Sequence, residues 1–250
     1  MGHLVLGFPT LAESIRTAGL YVQAGLEILE LQIPFSHPTA DGPVITAACR
    51  EAVENQRVTM ADCLEAIRTI RTQYPAQEIM VMSYINRVFT YGMEKFRREM
   101  TDLDIRHLIV PDLPVDFPGF KDLESLSPQL VPVLAANVSE ARLEKLLALD
   151  FDFFYLMSDF KITGSTFSLH PRLQQVIRKI KTPNTIHELP NTRRVGIGFG
   201  VSTPEQAGSV AEVADIAIIG SALIQAQTEG RLDVYLKSLR NAFNLATASI

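Results

Sequence analysis

Eight times along the chain, a short run of aliphatic or β-branched residues gives way to a longer stretch whose apolar residues return every three or four positions. That alternation marks repeated strand–helix units. The runs are His3 to Leu6, Glu27 to Gln32, Glu78 to Met82, His107 to Val110, Leu130 to Leu134, Phe153 to Met157, Val195 to Phe199 and Asp215 to Ile219. Helical spacing is expected over Leu11 to Ala24, Val44 to Asn55, Ala61 to Thr72, Met93 to Met100, Glu140 to Leu149, Arg172 to Ile180, Pro204 to Val213 and Leu232 to Ala248. Thr10 and Ser202-Thr203-Pro204 supply capping oxygens, and Pro204 suits a first helical position. Eight such units in 250 residues, with no break in composition, favour an α/β fold of one closed (β/α)8 barrel, a single domain over 1–250. The connection from Lys181 to Arg194, with Pro183 and Pro190, is long and reads as a surface insertion on the face away from the site.

At 47% hydrophobic and 20% charged residues the chain has a core to bury, which excludes disorder. Lys plus Arg number 23 against 28 Asp plus Glu, and the net charge of -5 argues against a nucleic-acid or anionic-membrane partner while leaving room for a local anion pocket. Cys49 and Cys63 are expected to be small buried apolar residues, and no metal site is expected. The longest apolar stretch, Ile216 to Ile224, falls short of the roughly 18 residues of a membrane span. With no basic segment, apolar run and cleavage site at the amino terminus, an unprocessed cytoplasmic protein is expected.

In a barrel of this kind the working groups stand at the carboxyl ends of the strands. Ile28-Leu29-Glu30-Leu31-Gln32-Ile33 sets a carboxylate in the middle of an apolar strand, on the face opposite Leu29 and Leu31. Glu30 either points outward to pair with a base on a covering helix, or into the barrel mouth. A carboxyl taken out of water holds its proton more tightly, which suits general acid/base work near neutral pH. The loop that follows carries Pro34, Pro38 and Pro43 and a second carboxylate, Asp41, which it would return over the mouth. Glycines follow three strands: Ile162-Thr163-Gly164, Gly198-Phe199-Gly200-Val201-Ser202 and Gly220-Ser221-Ala222. They either make tight turns only, or let backbone N–H groups close on an anion, with a short helix starting near Ser221 aimed at the same spot. Asp112 ends the fourth strand and is either functional or a brace for a neighbouring loop. His107, His170 and His187 read as structural or solvated, and Lys95 to Arg98 and Arg193-Arg194 as solvated faces.

From Leu6 to about Gln227 the chain resembles the α chain of the tryptophan synthase family. The segment from Leu29 to Pro43 is similar to the family's LELGIPFSDPLADGP, differing at Gln32, His37 and Thr39. Tyr84-Ile85-Asn86, Leu108 to Pro114, Thr163-Gly164, Gly198 to Ala207 and Gly220 to Leu223 resemble it as well. The resemblance implies a lyase of tryptophan biosynthesis that cleaves indole-3-glycerol phosphate to indole and glyceraldehyde 3-phosphate without a cofactor. Pyridoxal phosphate would belong only to a partner β chain, which consumes the indole. It implies that Glu30 shuttles protons between indole C3 and the glycerol hydroxyl, and that Asp41 accepts a hydrogen bond from the indole N–H. Tyr155, Phe199, Ile109, Met82 and Thr163 would line the substrate, and backbone N–H groups near Gly164, Gly200, Gly220 and Ser221 would hold its phosphate.

Departures from the family pattern accompany these matches. The family carries a covering helix and an aromatic pocket residue before the position of Leu6, where this chain reads Met1-Gly2-His3. Gln32 in place of a glycine is expected to crowd the ring pocket, and His37 replaces an aspartate that helps engage the β chain. Asp159 and Lys161 alter the loop expected to close over substrate. Two other readings stay open: a non-catalytic relative that keeps the phosphate cup as a binding or regulatory subunit, and a different phosphate-ester barrel enzyme.

Overall fold

The computed structural model describes residues 1–114, 127–157, 171–182, 193–198 and 200–247. Its strands are β1 (Gly2–Val5), β2 (Ile28–Gln32), β3 (Glu78–Met82), β4 (His107–Ile109), β5 (Gln129–Leu130), β6 (Val133–Ala135), β7 (Phe153–Met157), β8 (Arg194–Gly198) and β9 (Ile216–Ala217). Neighbours are parallel and follow chain order, β1 to β5 and β6 to β9.

The single run expected over Leu130 to Leu134 is two short strands. Pro132 has no N–H to place in a ladder. The chain therefore changes partner there: Val131 N–H donates to Leu108 O at 2.8 Å, while Pro132 O accepts from Tyr155 N–H at 2.9 Å. At the other seam Gly2 bridges Ile219, His3 N–H donates to Ile219 O at 3.0 Å, and Ile219 N–H donates to Met1 O at 3.0 Å. The ladder thus runs round a closed ring, the (β/α)8 barrel.

The helices are α1 (Leu11–Gln23), α2 (Pro43–Arg50), α3 (Met60–Gln73), α4 (Ile85–Tyr91), α5 (Met93–Asp102), α6 (Glu140–Leu147), α7 (Pro171–Lys181), α8 (Pro204–Ala211), α9 (Ser221–Thr228) and α10 (Leu232–Thr247). The expected helix from Val44 to Asn55 is α2 continued by one wider π turn, Glu51–Asn55. Thr10 caps α1 through Glu13 N–H, and Thr203 caps α8 in a reciprocal box with Gln206. Among the described residues, no helix is long and apolar enough to cross a membrane.

Strand alternation divides the core into two layers. Leu29, Leu31, Val81 and Leu156 pack outward against the helices. Ile28, Met80, Met82, Ile109, Phe153, Tyr155 and Ile218 fill the barrel interior. Cys49 and Cys63 are buried free thiols. The strands' amino ends carry a charged network instead of the solvated arginine pair expected from sequence. Arg194 forks onto Glu78 at 2.8 and 2.7 Å, and Arg193 donates to the carbonyls of Leu147 and Leu149 at 2.8 and 3.1 Å. Buried His107 donates from Nε2 to Asp152 Oδ1 at 2.7 Å, a structural role. That bond holds the Asp152 carboxyl below its ordinary range although burial opposes it. His170, His187 and most of the connection between α7 and β8 lie outside the described residues.

Candidate active site

At the strands' carboxyl ends the barrel opens on a cavity of about 190 Å³. Glu30, Asp41, Met82, Ile109, Tyr155, Gly200, Gly220 and Ser221 all line it. Thr163, Gly164 and Phe199 lie outside the described residues, as does the loop with Asp159 and Lys161.

Glu30 faces inward and is 1% exposed, so the outward reading does not hold. A buried carboxylate needs a partner. The register supplies one: His3 of β1 stands opposite Glu30 of β2, and its Nδ1 lies 3.4 Å from Glu30 Oε2. Burial acts to lower the His3 imidazole, but the charge and hydrogen bond of Glu30, with Asp41 and Gln32, set it above the ordinary histidine value. Among the described residues lining the cavity, His3 is the one side chain able to carry positive charge.

Asp41 reaches the same cavity from the proline-rich loop after β2. Gln32 Nε2 donates to its Oδ2 at 2.7 Å, and the Tyr84 hydroxyl donates to the same oxygen at 2.8 Å. Gln32 therefore holds the second carboxyl, a role the expectation of crowding did not include. Tyr84 also accepts Ala40 N–H at 3.1 Å, and the Phe35 ring packs against its ring at 5.4 Å. These contacts pin the loop. Burial lifts the Asp41 carboxyl above its ordinary range, against the opposing effects of His3, Gln32 and Tyr84. Burial, then Glu30 and Asp41, push the Tyr155 hydroxyl well above its usual value, so it stays neutral.

Beside His3, Gly220 caps α9 with no side-chain hydrogen bond. The leading N–H groups of a helix have no partner within the helix, and with the helix dipole they favour an anion. Gly200 adopts a φ of 92°, which a side chain disfavours. Its loop is held from two sides: Ser202 N–H donates to Gln206 Oε1 at 2.7 Å, and the Tyr235 hydroxyl donates to Ser202 O at 3.0 Å. Gly198 serves packing, since a Cβ there would stand 2.5 Å from the Tyr155 hydroxyl oxygen. Asp112 is the brace: its Oδ1 accepts Ile85 N–H, in the first turn of α4, at 2.9 Å.

The sequence assigned no role to His3, none to Tyr84 beyond its place in a segment resembling the family, and only obstruction to Gln32. The signal for His3 was its inward parity in a strand adjoining β2. Chemically, the cavity offers a buried carboxyl at Glu30, a partly buried one at Asp41, an apolar wall of Met82, Ile109 and Tyr155, and a helix end receptive to anions. Among the described residues, no group of three or more His, Cys, Asp or Glu is placed to hold a metal ion.

Comparison with known proteins bears on this arrangement. Residues 1–244 match the family described as tryptophan synthase alpha chain. The chain is 32% identical to the tryptophan synthase alpha chain of Halalkalibacterium halodurans, over 89% of this chain and 81% of that protein. It is also 32% identical to that of Lacticaseibacillus casei, over 96% and 89%. Its fold is similar to a chain in the crystal structure of tryptophan synthase from M. tuberculosis in an aminoacrylate-bound form, with a TM-score of 0.80, 28% identity, and 96% and 91% of the two chains covered.

Proposed function

The chain belongs to the tryptophan synthase alpha chain family, and from that premise we propose which of its residues carry the family's reaction. The protein is a carbon–carbon lyase of tryptophan biosynthesis that cleaves indole-3-glycerol phosphate to indole and glyceraldehyde 3-phosphate. The reaction needs no cofactor in this chain, pyridoxal phosphate being held by the β chain.

The net proton transfer runs from the glycerol hydroxyl next to the ring to indole carbon C3, and Glu30 carries it. As C3 takes up the proton, positive charge gathers on the ring nitrogen. Asp41, fixed by Gln32 and Tyr84, accepts the indole N–H hydrogen bond and opposes that charge. The carbon–carbon bond then breaks, its electron pair returns to the ring, and the hydroxyl oxygen becomes the aldehyde carbonyl. Atoms balance without water or an oxidant. Met82, Ile109 and Tyr155, with Phe199, take the ring. Thr163 also lines the substrate, and backbone N–H groups at Gly200, Gly220 and Ser221, with Gly164, take the phosphate, the α9 dipole standing in for a lysine.

The observation that carries this reading is that Glu30, Asp41 and the uncapped start of α9 share one cavity. Its test is indole release by the purified chain. Glu30→Gln is expected to lower turnover by about 10²–10⁴, the scale of general acid/base catalysis. Turnover within a few-fold of the parent would remove Glu30 from this role. Association with a β chain is proposed on the same family footing. His37 is exposed on the loop after β2, so its replacement of an aspartate falls on a surface open to a partner. Added β chain should raise the rate of cleavage. The proposed compartment is the cytoplasm.

A further inference from the structure

Resting on the lyase reading above, the roles of His3 and Gln32 extend it. His3 Nδ1 stands 3.4 Å from Glu30 Oε2, and Gln32 Nε2 donates to Asp41 Oδ2 at 2.7 Å. Glu30 and Gln32 are alternate inward residues of one strand, and His3 is paired with Glu30 in the adjacent one. His3 Nε2, Glu30 Oε2 and Gln32 Oε1 are all buried without a hydrogen-bond partner, the contact of His3 with Glu30 being an ion-pair distance. A neutral imidazole has one N–H, whereas an imidazolium has two. Charged, the ring answers Glu30 with one and has a second for a buried acceptor, which is costly to leave open.

The surrounding charges favour the same state. Facing His3 are Glu30 from β2 and Asp41 from the following loop, with neutral Tyr155 from β7. From α1 the Tyr21 hydroxyl donates to the His3 carbonyl at 3.2 Å. The amino group of Met1, pushed down to about 6 by burial against the pull of Glu30, is turned to Ala217 O at 2.8 Å. From the α9 side the helix start at Gly220 lies beside His3, and its partial positive charge opposes the two carboxyls, while Ile45 from α2 brings no charge. Among the described residues lining the cavity, two carboxyls thus share one basic side chain.

We propose that His3 is a positioning residue of the cleavage: as an imidazolium it pairs with the Glu30 carboxylate and, with Gln32, ties it to Asp41. Removing the ring leaves Glu30 buried beside Asp41 without the one side chain able to carry positive charge among the described residues lining the cavity. The acid limb of the kcat/KM profile then moves to higher pH.

The test has two arms. In the first, the His3 ring is titrated by 15N NMR in the parent and in Glu30→Gln. The midpoint is expected to fall by about 1 pH unit or more when the anion is removed, the scale of an adjacent opposite charge. In the second, indole release is followed from pH 5 to 9. The acid limb in His3→Phe is expected to move up by about 1–3 units. His3→Gln, polar but uncharged, should move it likewise, which a packing role would not do. A His3 midpoint unchanged by Glu30→Gln overturns the proposal, and so does an unmoved limb in both His3 variants. The NMR arm needs no His3 variant to fold. If the midpoint moves but the parent releases no indole at any pH, the pairing stands and the lyase reading falls.

Discussion

A methyl group at Gly198 would stand 2.5 Å from the Tyr155 hydroxyl oxygen and 2.9 Å from ring atoms of the same residue, inside a wall already packed. Gly198→Ala is therefore expected to displace Tyr155, lowering stability by about 1–3 kcal/mol through overpacking and raising KM for the indole ester. Thermal unfolding and steady-state kinetics together check this, and a fully stable variant with unchanged KM would separate Tyr155 from the substrate wall. Single residues were unevenly legible in the sequence. Glu30 announced itself because a carboxylate interrupts an apolar strand. His3 did not, because its meaning lies in a partner on another strand. Gln32 was read as bulk because a side chain's hydrogen bond to Asp41 depends on how the proline-rich loop returns.

Among the elements, the start of α9 is the proposed anion site, and its cap has room for change. A Cβ at Gly220 would meet Ile45 at 3.4 Å and His3 at 3.6 Å, close to ordinary contact. Gly220→Asp should thus fold, since aspartate is a favoured helix cap. Its carboxylate would occupy the N–H groups meant for phosphate and repel the ester. Calorimetry with glycerol phosphate is expected to show binding at least tenfold weaker than in the parent, a difference of about 1.4 kcal/mol, and Gly220→Ala far less affected. Equal binding in Gly220→Asp would place the phosphate elsewhere. Elements with strong local signals were readable: β3 and β7 end where their apolar runs end. The fifth run was broken by Pro132, whose missing N–H divides the ladder between β4 and β7. Helix α4 escaped notice because it is a seven-residue piece whose first turn depends on Asp112 from the loop after β4.

Across the whole molecule, the closed barrel separates function at one end from stability at the other. The carboxyl ends carry the cavity, while the amino ends carry Glu78, Arg194, His107 and Asp152 in mutual contact. The folded Asp152 carboxyl lies below its unfolded value, chiefly because His107 donates to it. Between those two values the unfolded chain binds the extra proton, so this contribution is complete above about pH 4 and is lost as pH falls through the folded value. Asp152→Asn should flatten the acid side of the stability curve while leaving indole release at neutral pH intact. An unchanged acid slope in denaturant titrations would show that the bond contributes nothing. Barrel closure was legible because eight strand–helix units leave few other topologies. The contents of the cavity were legible only as far as strand parity reaches, since the contacts of His3, Gln32 and Tyr84 form through space.

Cleavage as proposed requires one cavity to receive an indole ring at the two carboxyls and a phosphate at α9. A crystallographic difference map of Glu30→Gln soaked with indole-3-glycerol phosphate tests it most directly. Phosphate density is expected on the Gly220 and Ser221 amides, with the ring against Ile109 and Tyr155 and its N–H turned to Asp41. Phosphate density away from α9, or a ring turned from Asp41, would contradict it.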